Sequence, residues 1–156
     1  MLRKVDLKCF PLILLPLLSL ATFHPMTALK LYTHNNYTLY TTLQNNGLIG
    51  LKISKSYCEI LHLSVLPPFQ QKGIASQMIY QIINLNPSIE FIIAETDLEA
   101  VTFYEKFGFQ SIKLPAKYPD TKILLDFFVF ITSKKTLSTY LPNYKLIIQL
   151  FFSVFH

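Results

Sequence analysis

The sequence predicts an α/β (α+β) domain: a mixed sheet whose N-terminal strands are antiparallel and whose central pair is parallel, flanked by helices. Three observations predict this. Strand-like runs follow one another at Tyr37–Thr42, 48–54 and Tyr57–Val65 across short turns, the first and third alternating between apolar and polar residues and the first rich in β-branched and aromatic side chains. A glycine-centred stretch, Gln70-Gln71-Lys72-Gly73-Ile74-Ala75, then leads directly into an amphipathic helical pattern. Beyond it, residues 89–94 form a nearly continuous apolar run between two helical segments, the pattern of a strand covered on both faces.

Taken in order, Arg3, Lys4 and Lys8 precede an apolar run over residues 10–20, and Ser19-Leu20-Ala21 has the small-x-small form of a leader-peptide cleavage site. Asp6 among the basic residues, and Pro11 and Pro16 within the run, argue instead for a buried first strand with its connection. The run is also too short to cross a bilayer as a helix. Pro25 then opens a short helix carrying Met26, Leu29, Leu31 and Tyr32, with proline tolerated in its first turn. Gln44-Asn45-Asn46-Gly47 is a hairpin signal, because Asn-Gly accepts the positive φ angles of a tight turn. In the third strand, Tyr57–Val65, alternation puts Cys58, Ile60, His62 and Ser64 on one face and Glu59 on the other.

Pro67-Pro68 ends that strand, and Ile74, Met78, Ile79, Ile82 and Ile83 mark the inward stripe of the helix that follows. The strand over 89–94 lies parallel to Tyr57–Val65, with that helix as the crossover. Thr96-x-x-Glu99 is a capping box for a second helix with the stripe Ala100, Phe103, Tyr104 and Phe107, which Gly108 stops. Strands over 109–114 and 123–132 complete the sheet. The expected organisation is one domain over 11–132 and an apolar extension over 133–156, whose run 146–155 is too short to span a membrane and reads as a packing helix or docking tail.

With 156 residues, 51% of them apolar, the chain can bury a core of its own and disorder is excluded over most of its length. The net charge of +5 is spread along the chain with only one lysine pair, Lys134-Lys135, which suits an anionic small ligand or solubility better than nucleic acid. Two distant cysteines, Cys9 and Cys58, make no disulfide framework, and the four isolated histidines make no zinc site. A helix start offers N–H groups without intrahelical acceptors and a positive dipole end, so the glycine stretch is a seat for phosphate.

Here the residues resemble a known family, the GNAT superfamily of acyl-CoA-dependent N-acetyltransferases. Val65-x-Pro67-x-x-Gln70-x-x-Gly73-x-Ala75 is similar to its coenzyme-binding motif. Ala100-Val101-Thr102-Phe103-Tyr104, followed by Gly108-Phe109, is similar to its second signature. Ala94-Glu95-Thr96-Asp97 and Lys117-Tyr118-Pro119 resemble a small bacterial subgroup. The resemblance implies a GNAT-like fold and acetyl-CoA as cosubstrate. Gln70, Gln71, Lys72, Gly73, Ile74, Ala75 and Ser76 would then cradle the pyrophosphate, and Leu63, Ser64 and Val65 would pair with the pantetheine arm. Asp97 and Ala100 would be further coenzyme contacts, with a capping role as the alternative for Asp97.

Acetyl transfer to an amine requires a held thioester, a neutral amine, an oxyanion donor and a proton for the leaving thiolate. The resemblance places the Val65 N–H as the oxyanion donor. It places Tyr104 as the general acid, a phenol with an ordinary pKa of about 10 that is protonated at neutral pH. Glu59 is the candidate base, with His62 or water as alternatives. A lysine-like amine costs roughly 4 kcal/mol to deprotonate at neutral pH and an α-amino group about 1 kcal/mol, so an ordinary glutamate serves the first only if burial raises its pKa. Cys58 has no basic partner, which disfavours an acyl-cysteine route. The expectation is a cytoplasmic N-acetyltransferase acting by direct transfer on a small-molecule or peptide amine, with no nucleic acid, metal or membrane and with a homodimer left open. Its rivals are an inactive coenzyme-binding or regulatory module of the same fold, and an exported or membrane-associated protein using its apolar N-terminus.

Overall fold

A computed structural model describes residues 1–9, 12–96, 100–112 and 126–132. The expectations for Asp97, for Glu99, for 113–125 (Lys117-Tyr118-Pro119 among them) and for the extension 133–156 lie outside these residues.

Among the described residues, seven strands form one sheet. They are β1 (Leu2–Lys4), β2 (Tyr37–Thr42), β3 (Gly47–Ile53), β4 (Tyr57–Val65), β5 (Phe91–Thr96), β6 (Gln110–Ile112) and β7 (Asp126–Ile131), in the spatial order β1-β2-β3-β4-β5-β7-β6. Every neighbouring pair is antiparallel except β4 and β5, which run parallel as the sequence predicts. That parallel pair needs a crossover, and α3 (Ile74–Leu85) supplies it. Helices α1 (Leu15–Ala21) and α2 (Pro25–Leu31) precede β2, and α4 (Val101–Phe107) follows β5.

The sheet is covered on both faces. On one, Met78, Ile79 and Ile82 of α3 and Tyr104 of α4 pack with Ile49, Leu51, Cys58, Ile60, Val65, Ile92 and Ala94. On the other, Leu14, Leu17 and Leu18 of the α1 region and Ala28, Leu29 and Tyr32 of α2 pack with Leu39 and Leu48. Burial of both faces is why β3 and β5 read as apolar runs rather than clean alternations.

Two expectations about the sheet change, and α4 starts at Val101 with Ala100 as its N-cap and no side-chain cap, rather than from a capping box at Thr96. The run over 10–20 is not a first strand: Leu12–Leu14 is a 3-10 turn and Leu15–Ala21 is helical, while the strand forms earlier, at Leu2–Lys4. The reason is legible afterwards. Leu14, Leu17 and Leu18 fall at helical spacing and are the residues this segment buries, while Pro16 sits in the first turn, where its missing N–H costs nothing. The Ser64 hydroxyl donates to the Leu17 carbonyl at 2.7 Å, which ties α1 to β4. Cleavage after Ala21 would therefore take a strand and part of the core with it. Among the described residues no single helix is long and apolar enough to cross a membrane; the segments Leu12–Ala21 and Pro25–Leu31 meet at a bend of 105° and turn their buried leucines onto the sheet.

The second change lies within β4. Its ladder with β3 pairs Leu51 with Ile60 but Gly50 with His62, so Leu61 is an extra residue, a β-bulge. Period-2 alternation fails at that point. Cys58 and Ile60 face α3, but so do Leu63 and Val65 after the bulge. His62 and Ser64 instead face α1 and α2, where they bond Tyr32 and Leu17. The four residues expected on one face are thus divided two and two.

Gly50 makes room for this arrangement. A Cβ built on it would lie 1.9 Å from the hydroxyl of Tyr32, which crosses β3 to reach His62. We predict that Gly50→Ala lowers stability by about 1–3 kcal/mol, the usual cost of overpacking a filled interior. The check is a denaturant titration, read as a lower midpoint at unchanged slope. An unchanged midpoint would show that Tyr32 can move aside freely.

Candidate functional site

β4 and β5 pair at four positions only, from Tyr57↔Phe91 to Ile60↔Ala94. Past that point each strand continues without the other. β4 stays on β3 as far as Val65↔Gly47, and β5 stays on β7 as far as Thr96↔Asp126. The two central strands therefore separate into a wedge that opens where the bulge at Leu61 begins. The Leu66 N–H is turned to the Asn46 carbonyl on the β3 side at 2.9 Å. Alternation along an extended strand then turns the N–H groups of Val65 and Leu63 the other way, toward the wedge.

The loop leaving β4 is built around two left-handed residues, Gln71 at φ 59° and Gly73 at φ 76°. A left-handed residue beside right-handed ones turns successive N–H groups toward one side, an anion-binding concavity. Gln71 carries this conformation at some cost; Gly73 carries it at little. Gly73 is the N-cap of α3, without a side-chain cap, and the first intrahelical bond is the Gln77 N–H to the Gly73 carbonyl at 3.0 Å. The N–H groups of Ile74, Ala75 and Ser76 thus lie ahead of the helical ladder, at the positive end of a twelve-residue helix. A Cβ at Gly73 would meet nothing within 4 Å among the described residues, so the space beside Gly73 is open on that side.

The side chains around the loop have separate duties. Gln70 turns back and donates its amide to the Val65 carbonyl at 2.9 Å, pinning the loop to the end of β4. Lys72 is exposed, with its ammonium 5.5 Å from the Phe69 ring centroid, which leaves a cation at the loop's rim. The structure thus brings together Leu63, Val65 and the stretch Gln70, Gln71, Lys72, Gly73, Ile74, Ala75 and Ser76. Ser64 sits among them in sequence, but its hydroxyl is committed to Leu17 on the far face. Ala100 precedes the first residue of α4 and packs against the core cluster on the α3 face.

Tyr104 is 5% exposed and lies edge-on to Phe103 and Phe109, at centroid distances of 5.1 and 5.0 Å. It shares a cluster with Ile60, Val65 and Ala94, the residues that line the start of the wedge on the α3 side. Glu59 faces the other way, as expected, and is buried. Loss of water raises its pKa above the ordinary carboxylate value; Lys52, its partner across the β3–β4 ladder, opposes the shift and Glu95 adds to it. Burial, reinforced by the neighbouring Glu59, pushes the Cys58 thiol up to about 12, so it is a protonated core residue rather than a nucleophile. Among the described residues, no three His, Cys, Asp or Glu side chains gather to hold a metal ion.

The sequence reading missed Tyr32, whose hydroxyl meets Nδ1 of His62. Its tie to His62 spans thirty residues, and only the bulge, which has no sequence mark of its own, turns His62 toward it.

A raised carboxyl pKa has a consequence for stability. The folded state holds the Glu59 proton more tightly than the unfolded chain, so stability falls as pH rises from the ordinary value near 4.5 through the raised one. We predict that Glu59→Gln melts at a higher temperature than wild type at pH 7 and that the gap closes toward pH 4. Thermal melts at the two pH values check this. A less stable variant at pH 7 would mean that the attraction of Lys52 outweighs the burial cost.

Comparison with known proteins agrees with this geometry. The family model described as an acetyltransferase (GNAT) domain matches residues 17–118. Among solved structures, a putative GNAT-family acetyltransferase from Desulfovibrio desulfuricans superposes with a TM-score of 0.69 at 14% identity, over 85% of this chain and 99% of that one. The ribosomal-protein-S18-alanine N-acetyltransferase from Escherichia coli gives 0.66 at 14% identity, over 87% and 96%. A GNAT-family acetyltransferase from Elizabethkingia anophelis with acetyl-CoA bound gives 0.65 at 18% identity, over 84% and 97%. No curated protein sequence matches this chain.

Proposed function

Because the chain belongs to the GNAT acetyltransferase family, we propose that it transfers the acetyl group of acetyl-CoA directly to a primary amine, as a cytoplasmic N-acetyltransferase. The observation that carries this reading is the wedge between β4 and β5, opening beside the left-handed, uncapped start of α3. A pyrophosphate and an extended thioester arm need those two features side by side. The acetyl-CoA held by the Elizabethkingia anophelis relative supports the choice of coenzyme.

In this reading the N–H groups from Gln71 to Ser76 receive the pyrophosphate and Lys72 adds charge. Asp97 and Ala100 contribute further coenzyme contacts. The pantetheine arm takes the place of the missing strand along Leu63, Ser64 and Val65. The Val65 N–H donates to the thioester carbonyl, which gains negative charge as the amine attacks. Glu59, with a pKa raised toward that of a useful base, takes the amine proton directly or through water. The C–N bond forms, the C–S bond breaks, and the thiolate leaves with the Tyr104 phenol proton. No acyl-enzyme forms, since the Cys58 thiol is buried and protonated. The acceptor is a small-molecule or peptide amine, the functional unit is the domain over 11–132, and a homodimer is compatible with it.

One observation favours a second reading. Tyr104 is packed among aromatic rings, as a core residue would be, and a chain without a general acid would bind coenzyme as a regulatory module.

Two measurements separate these. Isothermal titration with acetyl-CoA should show binding by wild type and at least a roughly tenfold loss in Gly73→Glu, whose carboxylate enters the phosphate seat at a left-handed position. Equal affinity for both proteins sinks the coenzyme site. Tyr104→Phe should bind coenzyme normally while kcat falls by about 100-fold, the scale of a lost general acid. Unchanged turnover removes Tyr104 from the mechanism, and no transfer by wild type to any amine selects the regulatory module.

A further inference from the structure

The Tyr32–His62 pair has no part in the mechanism above, yet several features are arranged to make it. The bulge at Leu61 turns His62 onto the α1–α2 face, the same face as Glu59. On unbroken alternation the two would lie on opposite faces. Gly50, opposite His62 in the ladder, leaves the space that the Tyr32 hydroxyl occupies, which a Cβ there would fill. The rings meet edge-on, with centroids 5.7 Å apart and planes at 66°, and the hydroxyl bonds Nδ1.

The chemistry of the pair decides which way the proton points. Tyr32 is 4% exposed and burial raises its pKa far above that of an ordinary phenol, so it keeps its proton and must donate it. The partner of the hydroxyl is Nδ1, which therefore accepts. Burial lowers the His62 pKa, so the imidazole is neutral at pH 7. A neutral imidazole that accepts at Nδ1 carries its hydrogen on Nε2. Nε2 has no bond among the described residues, and no buried side-chain nitrogen or oxygen there lacks a partner, so Nε2 keeps at least some contact with solvent.

We propose that His62, set by Tyr32 and the bulge, is an Nε2–H donor that orients the acceptor, selecting amines with a carbonyl or hydroxyl oxygen a few bonds from the nitrogen. This deepens the transferase reading and rests on it. The coenzyme's phosphates occupy the α3 face, so the acceptor meets the thioester from the α1–α2 face, where Glu59 and His62 both lie. The same argument removes His62 as the base, because its Nε2 has no lone pair to offer. Tyr32 is then a positioning residue, acting through the imidazole.

Two measurements test the proposal. Long-range 15N–1H spectra of the histidine rings should show His62 as the Nε2–H tautomer in wild type and as a mixture in Tyr32→Phe; an Nδ1–H wild-type ring overturns the proposal whatever the activity. Transfer from acetyl-CoA is then compared for glycinamide and for propylamine, which lacks the oxygen. His62→Leu should lower kcat/KM for glycinamide roughly three- to tenfold, mainly through KM, the effect of one lost hydrogen bond. It should leave propylamine and the KM for acetyl-CoA unchanged, and His62→Gln, which keeps an N–H donor, should restore most of the loss. An equal loss for both amines, carried by kcat, marks His62 as base or scaffold and overturns only this proposal. Absence of wild-type transfer to glycinamide overturns this proposal, and absence of transfer to any amine overturns the transferase reading with it.

Discussion

The separation of β4 from β5 past Ile60 and Ala94 is the constraint on which the rest of the molecule depends. Each strand is still bound on its outer edge, β4 to β3 and β5 to β7, so the gap is held open by the remainder of the sheet rather than by a loop. Backbone groups facing such a gap have lost their ladder partners. An unmet buried N–H costs about 1–3 kcal/mol, so a wedge of this kind must stay wet or be filled by a ligand with acceptors of its own. An extended chain of amides meets that need, and the open start of α3 lies beside it.

The bulge at Leu61 sorts the chemistry. Ahead of it Cys58 and Ile60 face α3, and after it Leu63 and Val65 do, so the α3 face keeps its apolar lining across the point where pairing stops. Glu59, His62 and Ser64 are gathered on the α1–α2 face. One inserted residue thus keeps apolar side chains on the α3 face and gathers polar and titratable ones on the other, along a single strand. Gly50 accommodates it, and Tyr32 fills the volume that Gly50 leaves.

The N-terminal helices belong to this arrangement. Helix α1 is bonded to β4 through Ser64 and buries Leu17 and Leu18, and α2 ends in Tyr32. The segment that reads in isolation like a leader peptide forms the cover of the α1–α2 face. Its apolar character serves the core, with Leu14, Leu17 and Leu18 inward and Leu12, Ile13 and Leu20 left at the surface.

Much of the fold was legible in the residues because the signals are local. Pro25, the Asn-rich turn before Gly47, the helical stripe from Ile74 to Ile82 and the stop at Gly108 each act within a few residues, and their elements appear where expected, although the positive φ of that turn falls on Asn45 rather than on Asn46-Gly47. The loop from Gln70 to Ala75 was legible for the same reason, since left-handed backbone and a helix start are written in neighbouring residues. The helix at Leu15–Ala21 was missed although its spacing was present, because two prolines and a leader-like flank competed with it. What no local pattern held was the bulge, and with it the faces of His62 and Ser64 and the partnership with Tyr32. A bulge is decided by which strand and which helix must fit together across the sheet, so only the assembled packing of Gly50, Tyr32 and β4 settles it. By itself the sequence determined most of the elements and the glycine-centred loop that opens α3. The tertiary structure decided which side chains share a face, because that depends on contacts between residues far apart in the chain.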